Sequence, residues 1–324
     1  NYPFYLVIQK IGPALAAGNA VILKPASQTP LVALRLTELL LEAGLPELGI
    51  QTVTGSGAAL GSTLCADSRV RKISFTGSRD VGEALTRVAG IKRMSLELGA
   101  NCPMIVLTDA DLELAAQAAS MAGFINAGQV CISLQRIIVH QEVYADFIDA
   151  LKPAVESIKI GPPLEEDSRL CAMISPDEVN RVEAWIGEAV NEGARLVSGG
   201  ERDGATLAPT ILAEVKPEMR VFRDEIFGPA VTTTSVGSAG EAIALANRSD
   251  YGLAAGIFTR DVTNAMNFAR FAEAGSLHIN WTPLWRADFM PYGGLKGSGI
   301  GKEGPRYAVE EMTDAKTIIV HGLE

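Results

Sequence analysis

The 324-residue chain has too few metal-binding and disulfide-forming residues for several protein classes. It contains three histidines and four cysteines, with no CxxC pair and no close Cys/His spacing. This scarcity argues against a zinc site, against other metal centres and against a disulfide framework. All four cysteines are therefore expected to be free thiols: Cys65, Cys102, Cys131 and Cys171.

The sequence also lacks a long hydrophobic run. The longest stretch without Asp, Glu, Lys or Arg covers residues 114–135, and it includes Gln117, Ser120 and Asn126 among other polar side chains that a bilayer interior would not tolerate. The first residues show neither the basic start nor the apolar centre of a signal peptide. We therefore expect a cytoplasmic protein that does not cross a membrane.

Positive charge is scarce relative to negative charge. Lys and Arg number 28 against 38 Asp and Glu, which gives a net charge of −10 and an isoelectric point near 5.0. Such a surface repels phosphate backbones and anionic lipids, so a nucleic-acid partner is not expected. With 48% apolar residues and a mean hydropathy of +0.19, the composition is that of a folded protein, and the length suits about two domains.

What the sequence does contain is an alternation of short β-branched runs and helical patterns. Strands are predicted at residues 20–23, 51–54, 72–75, 93–96, 136–140, 256–259 and in the tail 316–321. Helices are predicted from Thr29-Pro30 onward and at residues 109–126, 142–158, 176–193 and 237–247. This rhythm predicts an α/β fold whose parallel strands are joined by crossover helices.

Three glycine-rich segments invite comparison with nucleotide-binding loops, and two of them fail on spacing. Gly55, Gly57 and Gly61 are one residue away from the dinucleotide fingerprint, and residues 293–302 lack key positions of a P-loop. The third segment, Phe75-Thr76-Gly77-Ser78, leads from a strand into a helix whose first amides could face a phosphate. An ordinary strand-to-helix turn is the alternative interpretation.

Cys131 is the most informative single residue. It follows Gly128-Gln129-Val130, between a predicted helix and a predicted strand, where a glycine-permitted turn can expose a sulfur. The alternative is a buried cysteine that packs as a small hydrophobic residue, as we expect for the other three. Glu97 ends a predicted strand, and strand ends form the ligand-binding rim of open α/β sheets, so its carboxylate is a candidate general base or a solvated edge charge.

Motifs spread over the whole chain resemble the aldehyde dehydrogenase superfamily. They occur in the family's order: Asn1-Tyr2-Pro3, Lys24-Pro25-Ala26-Ser27-Gln28-Thr29-Pro30, Phe75-Thr76-Gly77-Ser78, Glu97-Leu98-Gly99, Gly128-Gln129-Val130-Cys131, Glu225-Ile226-Phe227-Gly228-Pro229, Tyr251-Gly252-Leu253 and Pro291-Tyr292-Gly293-Gly294. The segments 131–136, 290–294 and 303–306 look most like the lactaldehyde, phosphonoacetaldehyde and non-phosphorylating glyceraldehyde-3-phosphate subgroup.

The sequence departs from the family pattern at two points. Family members carry a further segment before the Asn-Tyr-Pro motif, with which this chain begins, and that segment would supply early elements of the cofactor domain and an oligomerisation hairpin. Ala100 stands where the family usually has a second glycine. An alanine is tolerated there if its φ is negative.

The resemblance implies an aldehyde dehydrogenase-like α/β fold with three parts. Residues 1–98 would form part of a nicotinamide cofactor-binding domain with a Rossmann-type sheet, residues 99–295 an α/β catalytic domain, and residues 296–324 a C-terminal segment with an oligomerisation strand. The tail 316–321 would be an exposed edge in a monomer, so we expect a homodimer or homotetramer.

The resemblance also implies a role for each matching residue. The Cys131 thiolate would attack the aldehyde carbon, the Asn1 amide and the Cys131 N–H would hold the oxyanion, and Glu97 would activate water to hydrolyse the thioester. NAD or NADP would be the cofactor. The residues expected to hold it are Lys24, Gly77, Ser78, Glu225 and Phe227.

Two further residues bear on specificity. Ser27 occupies a position that is often Glu in the family, where a carboxylate repels a 2′-phosphate, so NADP is expected to be accepted at least as well as NAD. Ser27 as a helix cap is the alternative. Arg286 is a candidate for gripping an anionic group on a small aldehyde, and a surface ion pair with Asp288 is its alternative.

Other functions remain open at this point. A cysteine hydrolase or acyltransferase would pair Cys131 with a histidine, but His140, His278 and His321 lie in no recognisable partner motif. A non-catalytic relative would have no physical need for Asn1, Glu97 and Cys131 together. A CoA-acylating enzyme is disfavoured, because Glu97 would serve water rather than a thiol acceptor.

Overall fold

The computed structural model describes residues 1–322, which divide into two compact units. The N-terminal unit consists of residues 2–97, 287–293 and those from 300 on, and the central unit consists of Asn1 with residues 98–286 and 294–299. The division reflects which residues contact one another, and it does not assign a function to either unit. The domain boundaries 1–98, 99–295 and 296–324 therefore stay predictions.

The N-terminal unit is built from short parallel strands, the first three of which are each followed by a helix. Val21 lies opposite Ile50 in one strand pair, and Lys72 lies opposite Arg93 in the other. The elements are α1 (Tyr5–Ala16), β1 (Val21–Leu23), α2 (Pro30–Glu42), β2 (Ile50–Thr52), α3 (Gly57–Ala66), β3 (Lys72–Thr76), α4 (Arg79–Ala89) and β4 (Arg93–Glu97). The β3–β4 ladder ends with Thr76 opposite Glu97, so the last ladder position of this strand pair carries a carboxylate.

Apolar side chains of the N-terminal unit form two small cores. Ile11 of α1, Leu36 of α2 and Ile50 of β2 are buried together in the first core. The second core contains residues of α3, β3 and α4: Cys65, Ile73, Leu85 and Ala89. Pro30 starts α2 because its fixed φ suits the first helical turn, and Gly44 follows the end of α2 with a φ of 96°.

The central unit contains a seven-stranded sheet. The larger elements are β5 (Cys102–Val106), α5 (Leu112–Phe124), β6 (Leu134–His140), α6 (Tyr144–Glu156), α7 (Pro176–Asn191), β7 (Arg195–Ser198), β10 (Thr210–Ala213), α8 (Arg220–Arg223), β11 (Ala230–Val236), α9 (Ala239–Asn247), β13 (Ala254–Phe258), α10 (Val262–Phe271) and β14 (Ser276–Ile279). The strand order in the sheet is β14-β13-β5-β6-β11-β10-β7, and all neighbouring strands run parallel except β7, which is antiparallel to β10. Short strands complete it: β8 (Arg202–Asp203), β9 (Thr206–Leu207), β12 (Tyr251–Gly252) and β15 (Leu295–Lys296). Two further elements follow in the chain, β16 (Gly299–Ile300) and α11 (Pro305–Glu311).

Helix α5 lies close to the sheet because its inner face is small. Five buried alanines line it, and a Cβ on Gly123 would lie 2.5 Å from a Val231 methyl carbon on β11. Phe124 ends the helix inside the core at 2% exposure. This packing fixes the point from which the chain turns toward Cys131.

Most predicted elements exist, with shifted ends. The helix predicted at residues 109–126 is α5, which begins at Leu112 after an Asp111 cap and ends at Phe124, and the strand predicted at 136–140 begins at Leu134. In the single chain, residues 313–322 form no strand and are exposed. Its pairing with another subunit stays a prediction. Within the described residues, no helix has the length and apolar character that a membrane crossing requires.

Candidate active site

Cys131 lies on a tight turn of the central unit. After α5, a 3-10 turn (Ile125–Gly128) places three successive residues in the left-handed region, with φ of 52° at Asn126, 55° at Ala127 and 70° at Gly128. The Ser133 N–H then donates to the Val130 carbonyl at 2.9 Å, which closes the turn that carries Cys131. The thiol is partly exposed, as the sequence predicted for a glycine-permitted turn.

Gly128 brings this turn against the loop that contains Glu225 and Phe227. A Cβ at position 128 would lie 2.1 Å from the Gly228 carbonyl oxygen, which no side chain can tolerate. Both glycine properties are therefore used here, the positive φ and the close approach. Gly128, Val130, Glu225 and Phe227 line one small pocket.

Two residues lie next to Cys131 within the central unit. The backbone nitrogen of Asn1 is close enough for an electrostatic interaction with Cys131. From the first residue of β5, the Cys102 thiol donates to the Cys131 carbonyl at 3.6 Å. Burial raises the pKa of Cys102 to about 12, so Cys102 is a neutral thiol under Cys131 and not a second nucleophile.

The Glu225 carboxylate lies over the backbone of Gly99 and Ala100. Its Oε1 accepts the Ala100 N–H at 2.9 Å, and a Cβ on Gly99 would lie 2.5 Å from Oε2. Gly99 therefore makes room for the carboxylate. Ala100 is not among the positive-φ residues, so the alanine is accommodated as expected.

Burial raises the pKa of Glu225 to about 7. The Ala100 hydrogen bond and the positive charge of Arg181 act in the opposite direction but are the smaller effects. A carboxyl with this pKa exchanges its proton near neutral pH. It is therefore poised to accept hydrogen bonds from ligand hydroxyls when ionised.

Phe227 adopts a φ of 47°, which is unusual for an aromatic residue and costs about 1–2 kcal/mol. Its neighbour Ile226 is buried, while the Phe227 ring is only partly covered. Phe227 thus carries a partly exposed side chain between two buried residues, Ile226 and Gly228. This arrangement presents the ring to the pocket beside Val130.

Glu97 lies in the N-terminal unit, as the last residue of β4. Its carbonyl accepts the Gly77 N–H at 3.1 Å, and its side chain is 6% exposed. A Cβ on Gly293 would lie 3.0 Å from the Glu97 Oε1, and the Gly293 carbonyl accepts a hydrogen bond from Lys302 Nζ at 2.6 Å. The glycine at 293 therefore leaves space for the candidate base.

The other residues predicted to bind cofactor in this unit lie at the ends of its strands. Lys24 directly follows β1, and its ammonium donates to the Pro25 carbonyl at 2.6 Å. Ser27 is exposed and donates to the Gly55 carbonyl at 3.1 Å, beside the start of α3. Ser27 does not cap α2, whose N-cap residue is Thr29.

Gly77 and Ser78 form the exposed turn into α4. Ser78 is the N-cap residue of that helix, yet its side chain makes no capping hydrogen bond, so the first helix amides are available to an anion. A Cβ on Gly77 would collide with the Phe75 ring at 2.4 Å. The role of this turn in binding a phosphate stays a prediction.

Arg286 ends the main segment of the central unit and is half-buried. The preceding residue, Trp285, makes an edge-on contact with the His278 ring, with centroids 6.1 Å apart. Its predicted role with an anionic substrate stays a prediction.

Sequence reasoning missed residues that hold these groups in place. Gln135 lies in the recognised segment 131–136, and Asn101 and Cys102 follow shortly after the motif Glu97-Leu98-Gly99. Nothing in their spacing indicated a contact with the Glu225 loop or with Cys131. Among residues 1–322, no group of three or more His, Cys, Asp or Glu is arranged to hold a metal ion.

The chain was compared with known proteins. The profile of the aldehyde dehydrogenase family matches residues 1–318. The chain belongs to this family. The 3-sulfolactaldehyde dehydrogenase of Priestia aryabhattai is 50% identical over 321 residues, which are 99% of this chain and 67% of that protein. The lactaldehyde dehydrogenase of Methanococcus aeolicus is 41% identical over 99% of this chain and 70% of its own length.

A solved structure of another dehydrogenase also matches this chain. The glyceraldehyde-3-phosphate dehydrogenase GapN of Methanocaldococcus jannaschii, crystallised with NADP, matches with a TM-score of 0.96 and 39% identity over 99% of this chain and 71% of that chain. The family resemblance and the α/β fold class are thereby confirmed. The hydrolase alternative is not favoured, since the relatives are named as aldehyde dehydrogenases.

The raised pKa of Glu225 predicts a pH-dependent contribution to stability. The native carboxyl, with a pKa of about 7, binds its proton more tightly than the unfolded carboxyl, with a pKa near 4.5. The stability of the native chain relative to Glu225→Gln should therefore fall as pH rises from about 4.5 to about 7 and level off above. Unfolding temperatures of both proteins, measured without cofactor from pH 5 to 8, give this difference. A constant difference would contradict the assignment.

Proposed function

We propose that this chain carries the machinery for NAD(P)-dependent oxidation of a small aldehyde to a carboxylic acid. The observation that carries the proposal is the partly exposed thiol of Cys131, on a turn held by Gly128 against the loop of Glu225 and Phe227. Membership of the aldehyde dehydrogenase family supports aldehyde oxidation in general. The residue roles below are our proposal.

Cys131 is the proposed nucleophile. Its thiolate attacks the aldehyde carbon and forms a C–S bond, which leaves negative charge on the former carbonyl oxygen. The Asn1 side-chain amide and the Cys131 N–H donate hydrogen bonds to that oxygen. The short turn supports this role, because it holds the Cys131 N–H and Sγ on one partly exposed residue.

Glu97 is the proposed base for the second half of the reaction. When bound, NAD(P)⁺ would supply the hydride acceptor for the carbon attached to Cys131, which leaves a thioester. Glu97 takes a proton from water, the resulting hydroxide adds to the thioester carbon, and the C–S bond breaks to release the acid and the Cys131 thiolate, after which Glu97 returns its proton to solvent. Burial of the carboxylate beside Gly293 supports a fixed position for this base.

The residues of each unit fit a nicotinamide dinucleotide. In the N-terminal unit, Gly77 and Ser78 would approach the pyrophosphate, since the first α4 amides lack a side-chain cap. Lys24, beside β1, would donate to ribose hydroxyls. In the central unit, Glu225 would accept from ribose hydroxyls and Phe227 would pack near the nicotinamide. The NADP bound to GapN supports this cofactor class.

The names of the relatives support a small, hydroxylated and frequently anionic substrate. Sulfolactaldehyde carries a sulfonate and glyceraldehyde-3-phosphate a phosphate, whereas lactaldehyde is neutral. Arg286 offers a planar guanidinium suited to such oxyanions. We propose it as the group that would bind the anionic end.

Replacing Cys131 with Ser should abolish aldehyde oxidation, because a hydroxyl provides no thiolate at neutral pH. The steady-state rate of NAD(P)H formation is expected to fall by at least about a thousandfold. Cys171→Ser is the matched control, because Cys171 is also a partly exposed free thiol of the central unit. Retained turnover in Cys131→Ser would refute the mechanism.

Replacing Glu97 with Gln should separate the two halves of the reaction. Formation of the thioester does not consume the base, whereas hydrolysis does. Stopped-flow absorbance at the NAD(P)H band should show a first-turnover burst of normal amplitude followed by a strongly reduced steady state. If burst and steady state decline together, Glu97 acts on Cys131 instead.

Replacing Ser27 with Glu should select against NADP. A carboxylate on this exposed position repels the 2′-phosphate, so the KM for NADP should rise about tenfold or more, with a much smaller change for NAD. Ser27→Gln, which adds bulk without charge, is the control. An unchanged NADP/NAD preference in Ser27→Glu would exclude Ser27 from the phosphate site.

Replacing Arg286 with Ala should selectively weaken the binding of anionic substrates. The KM for sulfonated or phosphorylated aldehydes should rise about tenfold or more, while that for lactaldehyde changes little. Arg195→Ala, which removes an exposed arginine paired with Glu214, should leave both unchanged. Equal KM values for charged aldehydes before and after the Arg286 change would favour the surface ion-pair interpretation.

A further inference from the structure

Gln135 occupies an irregular position in the central sheet. In the β5–β6 ladder Cys102 lies opposite Leu134, but the next residue, Pro103, lies opposite Arg136. Gln135 is therefore the extra residue of a β-bulge. Bulges redirect a side chain away from the regular alternation of a strand, and they are enriched beside active sites.

The redirected side-chain amide of Gln135 forms hydrogen bonds with the backbone of the segment 221–226. Its Nε2 donates to the Val221 carbonyl at 3.0 Å and to the Asp224 carbonyl at 2.7 Å, and its Oε1 accepts the Ile226 N–H at 2.9 Å. The side chain is 5% exposed. Three hydrogen bonds from one buried amide thus link the start of β6 to this loop.

Asn101, the residue before β5, completes the set. Its Nδ2 donates to the Phe222 carbonyl at 3.2 Å and to the Arg223 carbonyl at 2.8 Å, and its Oδ1 accepts from Ser249 at 2.7 Å. The two amides together bind four consecutive carbonyls, 221–224, at the C-terminal end of α8. Carbonyls at a helix end lack partners within the helix, and here two side chains supply them.

The Ile226 peptide is held from both sides. Gln135 binds its N–H, and an Arg181 nitrogen donates to its carbonyl at 2.7 Å. Ile226 lies between Glu225 and Phe227, so fixing it determines where both neighbouring side chains point. The left-handed φ of Phe227 needs such restraint, because an aromatic residue does not favour it in a free loop.

We propose that Gln135 and Asn101 are positioning residues for the cofactor, acting through the loop that presents Glu225 and Phe227. This inference rests on the proposed function, because it requires that the loop contacts NAD(P). The two amides set the orientation of the carboxylate and the ring before the cofactor arrives. Neither touches the reacting atoms.

The test is the affinity of the full chain for NADP and NAD alone, measured by calorimetry without aldehyde. Gln135→Met keeps the side-chain length and removes all three hydrogen bonds, and Asn101→Leu does the same at the second amide. We expect each to weaken binding about tenfold. In kinetics, the KM for cofactor should rise by a similar factor, with little change in the burst rate at saturating cofactor or in the KM for aldehyde.

Asn247→Leu is the matched control. Its amide also bridges a loop of the central unit, donating to the Phe271 carbonyl at 2.7 Å and accepting the Glu273 N–H at 2.8 Å, but it does not bind the Glu225 loop. It should lower the unfolding temperature without changing cofactor affinity. Equal weakening by Asn247→Leu and Gln135→Met would mean that the amides act only on stability, which overturns the proposal.

Failure of the two proposals can be distinguished. If the unaltered chain binds neither NADP nor NAD, the proposed function fails. If it binds and Gln135→Met binds equally well, only the positioning role fails. Should Gln135→Met not fold, Gln135→Glu replaces it: the side chain keeps its shape and its acceptor for Ile226 but opposes the Val221 and Asp224 carbonyls, so weaker cofactor binding is again expected and unchanged binding overturns the proposal.

Discussion

The close approach of Gly128 to the Gly228 carbonyl is the contact on which the candidate site depends. It joins two segments that are nearly a hundred residues apart in sequence, the turn of Cys131 and the loop of Glu225 and Phe227. Because no Cβ fits between them, the distance between nucleophile turn and loop is set by backbone atoms and not by adjustable side chains. The left-handed residues before Gly128 are tolerated because this packing and the closing hydrogen bond of the turn over-determine them.

Much of this arrangement could be predicted from the sequence, because local chemistry specified it. The strand predicted at 72–75 and the glycine that follows it indicated a strand ending at an exposed turn, and β3 with Gly77 has that form. A thiol after Gly128 predicted an accessible sulfur on a turn, and Cys131 is partly exposed on one. Glu97 after the strand predicted at 93–96 indicated a carboxylate at a strand terminus, which is where β4 places it.

Other features depend on long-range pairing and were beyond such reasoning. The bulge at Gln135 is a register shift between β5 and β6, and no pattern within either strand encodes the extra residue. The high pKa of Glu225 arises from burial by segments distant in sequence. In the tail 316–321, local propensity favours a structure that the single chain does not form. Its β-branched residues favour a strand, but a strand needs a neighbouring strand to bond to, and the described residues provide none.

The carboxyl of Glu225 also ties ligand binding to proton balance. At pH 7 a group with a pKa of about 7 is protonated in roughly half of the molecules. A ligand hydroxyl that donated to the ionised form would draw the equilibrium toward it, so occupation of this loop would release a fraction of a proton to solvent. Affinity at this position is thus coupled to the acidity of the surroundings, through a single side chain that Gly99 and Ala100 hold against their own backbone.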